Sequence, residues 1–590
     1  MKIKLSDFVA NVIATNGVKS VFGITGGSSL HLMHSIADHP DLNMICPLHE
    51  QAAAMAADGY SRVTRNLGVA IGTSGPGATN MITGICCSYY DSIPVLYISG
   101  QVSTLRLKLN TGVRQYGFQE TDVVSICKTI TKYAVTIKKA SKIRYELEKA
   151  IHIAKSGRPG PVLIDIPDNL SREEVDPSRL EGYIPSNEAY NNLNLLNSIK
   201  KSLPLIYKAK RPVIIIGWGV RLANADNELH DLIKHLGFPV APTWSMADFL
   251  PYGHDNLVGT FGTHGTRYGN FTVQNADLIL AIGTRLNTHI TGHLLSSFAR
   301  SAKKIVVDID ANELKKYNTF GMSVDHLIES DAKEYIHTLL DYIDISELSD
   351  ITQWKNKIKE YKYKYNICPE LYYKENKINP YVFVKDLSAV SNNKIIFIDT
   401  GCSIAWMMQA FEPKSKQRLF HDYNNTAMGY ALPASIGAAF ALPGESITCI
   451  VGDGSLQMNI QEMATVIHYN LPIKIILLNN QGYNLVRQTQ DQWFDSNYIG
   501  SSSDGGVANP DYIQIAKAYG YQTFSVSRNR DVKRIIKKVL DTDGPVFCEV
   551  SISSKHRVVP LVGFGRPIED ADPLIDRDVF KKDMLIDPLS

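Results

Sequence analysis

Residues 450–483 read "IVGDGSLQMNIQEMATVIHYNLPIKIILLNNQGY". Asp453 stands between two glycines after one apolar run, and Asn479-Asn480 close a second. The runs "SITCIV" and "IKIILL" have the length and branching of central parallel strands buried on both faces. Between them, "LQMNIQEMATVIHY" carries Met458, Ile460, Met463, Ala464 and Ile467 at roughly helical spacing and predicts one helix. Strand, tight turn, helix, strand puts Asp453 and Asn480 at the carboxyl edge of one sheet, where open α/β sheets bind ligands. Both are oxygen donors suited to a hard cation. Mg²⁺ takes one or two protein carboxylates and completes its octahedron with phosphate oxygens and water. Gly454 and Ser455 open the following helix, whose free N–H groups favour an anion. Two plain turns would explain either motif alone; the matched pair at one edge describes a magnesium–diphosphate site.

A chain of 590 residues exceeds what one core supports, so several domains are expected. Apolar content of 44% and charged content of 20% fit an ordinary globular protein. The net charge of +2 gives no electrostatic reason for a nucleic-acid or membrane partner. "MKIKLSDFVANVIATNG" reads as an amphipathic helix without the apolar core of a signal peptide. No apolar run reaches the length of a membrane span, and a cytoplasmic location is expected. The eight cysteines are scattered without metal spacing and read as buried free thiols.

The pattern predicts three α/β units with mostly parallel sheets. The first, over 1–172, has strands at "SVFGIT", "LGVAIGTSG", "IPVLYISG" and "PVLIDIP". An Asn-rich linker over 171–195 leads to a second unit, 190–345, with strands at "PVIIIGWG", "DLILAIGT" and "KIVVDID". The third, 375–555, follows a solvated helix and connector and runs from "KIIFIDTG" to "GPVFCEVSI". A Pro- and Asp-rich segment, 556–590, reads as an arm rather than a core element.

The 450–483 segment resembles the thiamine-diphosphate motif, GDG followed about two dozen residues later by NN. The likeness extends to "HEQAAAMAADGYSRVT", "GVAIGTSGPGATNMITGI", "DSIPVLYISGQV", "GFQETD" (117–122), "GTHGT" (262–266) and "AMGYALPASIGAAFA" (427–441). Over nearly the whole chain it is similar to the acetolactate (acetohydroxyacid) synthases. The resemblance implies pyrimidine-binding, central FAD-type and diphosphate-binding domains, all doubly wound. It places Glu50 beside the cofactor's aminopyrimidine. There a carboxylic acid shares a proton with the ring, favouring the imino tautomer that takes the thiazolium C2 proton. Met428 matches the apolar wedge beneath the thiazolium. Asp453 and Asn480 would ligate Mg²⁺ through side chains and Gly482 through its carbonyl, with Gly454, Ser455 and Tyr483 close by. Thr400, Gly401, Cys402 and Ser403 align with a diphosphate loop, although the family usually has Gln-His at the last two positions. Phe118 and Gln119 match the reaction chamber. Arg285, in the domain that resembles the family's flavin domain, is the expected contact to a structural FAD. The implied assembly is a homodimer or homotetramer with sites between subunits.

Two departures bear on the substrate. Where the synthases carry an acceptor-binding Arg in "RFDDR", this chain has "RLNTHITG", with His289 at that position. Where they carry Trp in "VRQWQ", it has "VRQTQ", with Thr489. A guanidinium grips a carboxylate with a fork that imidazole lacks, and loss of an indole opens space. The leading expectation is therefore decarboxylation of a 2-keto acid, pyruvate, and ligation of the two-carbon unit to a bulky ketone such as a keto-deoxysugar nucleotide. The chain has no adjacent His-His pair, as the simple decarboxylases use, which favours carboligation. Acetolactate synthesis from two pyruvates is the rival. A cyclic-diketone hydrolase and an inactive scaffold homologue are further alternatives.

Overall fold

The computed structural model describes residues 2–185 and 192–589. The middle of the expected linker, 186–191, lies outside the described residues. Three parallel sheets form the frame. The first runs, in spatial order, Asn43–Ile45, Ser20–Gly23, Gly68–Gly72, Val95–Gln101, Val162–Pro167 and Tyr133–Thr136. The third runs Arg418–Phe420, Ile395–Ile398, Ile447–Gly452, Ile473–Asn479, Val546–Ser551 and Gln522–Val526. Numbered within each unit, both have the order 2-1-3-4-6-5. The central sheet begins the same way: Val240–Pro242, Pro212–Ile216, Leu278–Ile282, Lys303–Asp308 and His326–Glu329. In all three, the first strand is flanked by the second and third, so the chain leaves it in opposite directions. That reversal opens a crevice at the carboxyl ends of the first and third strands.

The expected strands form because their apolar runs are buried on both faces; Ile447–Val451 and Ile473–Leu478 are buried throughout. The expected single helix after Asp453 is instead two, Asp453–Met458 and Glu462–His468. Asn459 leaves helical geometry at φ −140° because its amide is used elsewhere, donating to the Gly429 carbonyl at 2.9 Å. Met458 consequently points outward, 46% exposed.

The helices that follow the second strand in the two six-stranded units, Glu50–Thr64 and Ala431–Ala441, pack on each other through small residues. A Cβ on Gly59 would lie 2.3 Å from the Ala434 carbonyl oxygen, and one on Gly437 would lie 1.9 Å from that of Ala56. The contacts are reciprocal between the two helices. Ion pairs from Arg65 to Asp226 (2.6 Å) and from Arg418 to Asp248 (3.2 Å) join the central unit to its neighbours.

The closing segment differs from its reading as an arm rather than a core element. Val562, Ile568, Ala571, Phe580 and Met584 are buried in the central unit's core, and Leu561–Val562 pairs with Ala571–Asp572. Proline and aspartate frequency conceals these apolar anchors. All eight cysteines are free; six are buried, Cys86 is partly buried and Cys46 is exposed. Among the described residues no helix is long and apolar enough to cross a membrane.

Candidate active site

The crevice of the third sheet gathers the residues singled out at 400–403, 453–455 and 480–483. Paired strands bring Gly452 opposite Leu478, so Asp453 and Asn480 emerge side by side. Asp453 is buried; its Oδ1 accepts from the Gly454 N–H at 2.7 Å, and its Oδ2 from the N–H groups of Gly482 at 2.9 Å and Asn480 at 3.2 Å. Burial pushes its carboxyl above the ordinary value. The Asn480 Oδ1 is also buried and has no hydrogen-bond partner. Such an orphaned acceptor is costly unless something electropositive meets it. Among the described residues no cluster of three His, Cys, Asp or Glu side chains forms a metal site. A carboxylate beside a spare amide oxygen is instead the donor set of Mg²⁺ shared with phosphate oxygens.

Bare backbone completes the crevice. Gly401 adopts φ +87°, where side chains are strained, and a Cβ there would meet nothing within 4 Å. Cys402 and Ser403 are buried at the start of the helix Cys402–Ala410. Burial pushes the Cys402 thiol up to about 12, so it stands as a neutral thiol. Ser455, buried, shares a hydrogen bond with Asp399. The Tyr483 ring lies directly on Gly454, where a Cβ would come within 1.9 Å of it. Gly482 is held at φ +131° with no room for a Cβ beside the Ser501 carbonyl.

Two residues absent from the motif reading organise these loops. Asp399, fully buried, accepts from the N–H groups of Ala431 (2.8 Å), Thr400 (2.9 Å) and Gly429 (3.1 Å). It thereby fixes both the diphosphate-type loop and the turn carrying partly buried Met428. Burial raises its carboxyl to about 6. The signal for it is an acidic residue ending the apolar run "KIIFID". Arg487, also buried, donates to the carbonyls of Gln481 and Asn480 and holds the 480–482 turn from behind.

Glu50 lies at the edge of the first sheet. It opens its helix, His49 Nδ1 caps that helix by accepting from the Gln51 N–H at 3.0 Å, and Asn80 donates to the Glu50 Oε2 at 2.9 Å. Gln119 adopts a left-handed φ of 63° against Gly75, in the loop that leads to Asn80. Phe118 beside it is 85% exposed.

Arg285 and His289 line a different cavity, at the crevice of the central sheet between the Gly217–Gly219 and Gly283–Arg285 turns. Arg158, Trp218, Trp244 and Asp308 also face it. The indole N–H groups of Trp218 and Trp244 are buried without partners. His289 packs 4.3 Å from Trp244 and stacks 5.3 Å from His264. Burial pushes His289 down to about 4 and His264 to about 3, so both rings are neutral at pH 7. Thr489 lies exposed on the helix Asn484–Trp493 of the third unit.

Three family descriptions match the chain: thiamine pyrophosphate enzyme N-terminal TPP-binding domain over 3–126, central domain over 199–339, and C-terminal TPP-binding domain over 399–550. The chain is 33% identical over 577 residues to acetolactate synthase 1, chloroplastic, of Nicotiana tabacum, covering 96% of this chain and 84% of that protein. It is 35% identical over 568 residues to a probable acetolactate synthase large subunit of Methanococcus aeolicus, covering 92% and 91%. A third similar protein, from Methanocaldococcus jannaschii and described in the same words, is 33% identical over 599 residues, covering 98% and 97%. With its crevice geometry, three domain matches and full-length likeness, the chain belongs to the thiamine-diphosphate-dependent enzymes, in the acetolactate-synthase-like family of carboligases.

Proposed function

We propose that this enzyme decarboxylates pyruvate and joins the two-carbon unit to a second pyruvate, giving acetolactate. The observation that carries the site assignment is the unpartnered, buried Asn480 Oδ1 beside the Asp453 carboxylate. These two groups and the Gly482 carbonyl would hold Mg²⁺, and the N–H groups around Gly401 and Gly454 would receive the diphosphate. When bound, thiamine diphosphate supplies the electron sink that makes decarboxylation of a 2-keto acid feasible. The chain's own part is to exclude water, fix the rings over Met428 and exchange a proton at Glu50. Asn80 fixes one carboxyl oxygen, leaving Glu50 Oε1 for that exchange.

The names of the similar proteins support pyruvate as acceptor over the keto-deoxysugar expected from His289 and Thr489. The packing of His289 against Trp244 and His264 agrees with that weighting, because a ring used in packing is weak evidence for an acceptor contact. A bulkier ketone is the second reading, carried by the small, exposed Thr489. The central crevice, with two unpartnered indole donors and Arg285 at its turn, fits a flavin dinucleotide held without redox use. A homodimer is supported by the apolar side chains left in water around Phe118: Leu105, Leu109 and Tyr116 are each at least 70% exposed.

The test is product analysis. The protein, supplied with thiamine diphosphate and Mg²⁺, is incubated with isotopically labelled pyruvate alone and with a panel of bulky ketones. Acetolactate from pyruvate alone supports the proposal. Carbon dioxide release only with an added ketone, and a product containing it, would replace it by the second reading.

A further inference from the structure

We propose that Glu462 of the third unit is the positioning residue for Glu50, setting the proton-exchanging carboxyl through the backbone that precedes it. This rests on the reading of Glu50 as the carboxylate that meets the cofactor's pyrimidine.

Glu50 is reached by a short connection, Cys46–His49, from the edge strand Asn43–Ile45. Pro47 is buried, but Leu48, directly before His49, is 56% exposed and adds little packing. What holds the Leu48–His49 backbone is polar and comes from the other unit. The fully buried Glu462 carboxylate accepts the Leu48 N–H at 3.0 and 3.2 Å, one distance to each oxygen, and also the N–H of His49. Thr465 donates its hydroxyl to Glu462 Oε2 at 2.7 Å, steadying the carboxylate. Gln51, just past Glu50, donates to Asn459 at 3.4 Å. Residues on both sides of Glu50 are therefore tied to Asn459–Glu462, the break between the two short helices that begin at Asp453.

A buried carboxylate is unfavourable unless its lone pairs are filled. Here they are filled by the two backbone donors preceding Glu50, by the Thr465 hydroxyl and by the Gln461 side chain. Hydrogen bonds to an ionised carboxylate are stronger than those between neutral groups. Catalytic groups need placement within a fraction of an ångström. A loose 48–49 turn would let the first turn of the Glu50 helix shift, while the Asp453 crevice, fixed by Asp399 and Arg487, stayed in place. Glu462 thus acts on proton exchange and leaves cofactor retention to other residues.

The experiment uses the full chain loaded with thiamine diphosphate and Mg²⁺. In Glu462→Gln, one oxygen becomes an amide donor facing backbone donors. Exchange of the cofactor C2 proton for deuterium, followed by acid quench and NMR, is expected to slow about tenfold or more, the worth of one charge-assisted bond. Cofactor affinity by calorimetry should stay within about twofold, and the near-ultraviolet dichroism of the imino tautomer should fall. Thr465→Val, a milder change, should slow exchange in the same direction, and Glu462→Asp should recover part of the rate. Glu50→Gln is the reference. Parent-like exchange in Glu50→Gln would remove the premise that Glu50 serves the cofactor. Slow exchange in Glu50→Gln but parent-like exchange and tautomer signal in Glu462→Gln would overturn the positioning role alone. Cofactor affinity lost in step with exchange would also overturn it, by marking a general structural role. Should Glu462→Gln not fold, parent-like exchange in Thr465→Val overturns the proposal and slowed exchange with intact affinity supports it.

Discussion

Asp399→Asn separates stability from function because two effects of similar size act on it in opposite directions. The carboxyl of Asp399, raised from 3.8 to about 6 by burial, is ionised at pH 7 at a cost. A rise of about two units corresponds to about 3 kcal/mol against the ionised form in the fold. Asparagine carries no charge and removes that cost. Its oxygen can still take the N–H groups of Thr400 and Gly429, which share one carboxyl oxygen in the native site. Its NH₂, however, replaces the oxygen that accepts from Ala431, setting donor against donor just after Met428. A hydrogen bond to a charged group contributes about 1.5–3 kcal/mol, so against the recovered cost the net change in folding free energy should be a stabilisation of about zero to 1.5 kcal/mol. Function does not share that cancellation, because the lost bond fixes the Met428 turn. We expect cofactor affinity to fall about ten- to a hundredfold. Urea denaturation of the apoprotein and calorimetric titration with thiamine diphosphate and Mg²⁺ measure the two quantities. Stability lost by more than about 3 kcal/mol with unchanged affinity would refute the reasoning, making Asp399 a fold residue with no special hold on the wedge.

Asp453→Ala should abolish Mg²⁺-dependent retention of the cofactor, since the Asn480 oxygen alone cannot balance the ion; full occupancy after gel filtration would contradict the metal assignment. Gly437→Val places a side chain where a Cβ already lies 1.9 Å from the Ala56 carbonyl, so thermal unfolding should fall by at least about 1–3 kcal/mol. An unchanged melting curve would mean the helix pair is not close-packed. The fully buried His421, lowered to about 4 with Nδ1 bound to the Ile398 carbonyl at 2.7 Å, gives a signed pH effect. Its ring is neutral in the fold and protonates in the unfolded chain near 6.5, so stability is full above pH 6.5 and declines as pH falls to about 4. The span corresponds to about 3 kcal/mol. His421→Gln should flatten that part of a urea-midpoint profile taken from pH 7.5 to 4.5, and an unaltered slope would exclude the group.

The strands are legible in the sequence because their apolar runs are long enough to be buried on both faces, and the spacing of GDG and NN is enough to locate one crevice. Asn459 is not legible: its exit from the helix depends on the Gly429 carbonyl, thirty residues earlier in the chain, and local periodicity carries no sign of it. Glu462 and Arg487 escape a sequence reading for the same reason, and Asp399 is marked only by its place at the end of "KIIFID". Each acts by accepting or donating to backbone from elsewhere in the fold, and backbone partners leave no mark on sequence spacing. The closing segment misleads because composition averages over 556–590 conceal single anchors such as Ile568, fully buried in the central core. His289 and Thr489 look like one pocket because both are departures from family motifs. The structure places one in the central cavity and the other on an exposed helix face.

The two six-stranded units have the same strand order, yet their crevices differ in chemistry. In the first unit the turns at the switch point are Ile24–Gly27 and Thr73–Pro76, neutral throughout. They are pressed together: a Cβ on Gly26 would lie within 2.6 Å of three Thr73 side-chain atoms, and the Ser28 and Thr73 hydroxyls share a bond of 2.9 Å. That crevice is closed and uncharged, so a dianion and its metal have no place there. In the third unit the same turns carry Asp399 and Asp453, and Gly401 faces open space. A cofactor with one highly charged end and one heteroaromatic end therefore finds its charged end specified by the third unit alone. What the first unit offers is the edge carrying Glu50, Asn80 and Gln119, a single carboxyl among neutral amides. The two frames share one strand order, and acidic residues stand at the switch point of the third unit alone, as Asp399 and Asp453.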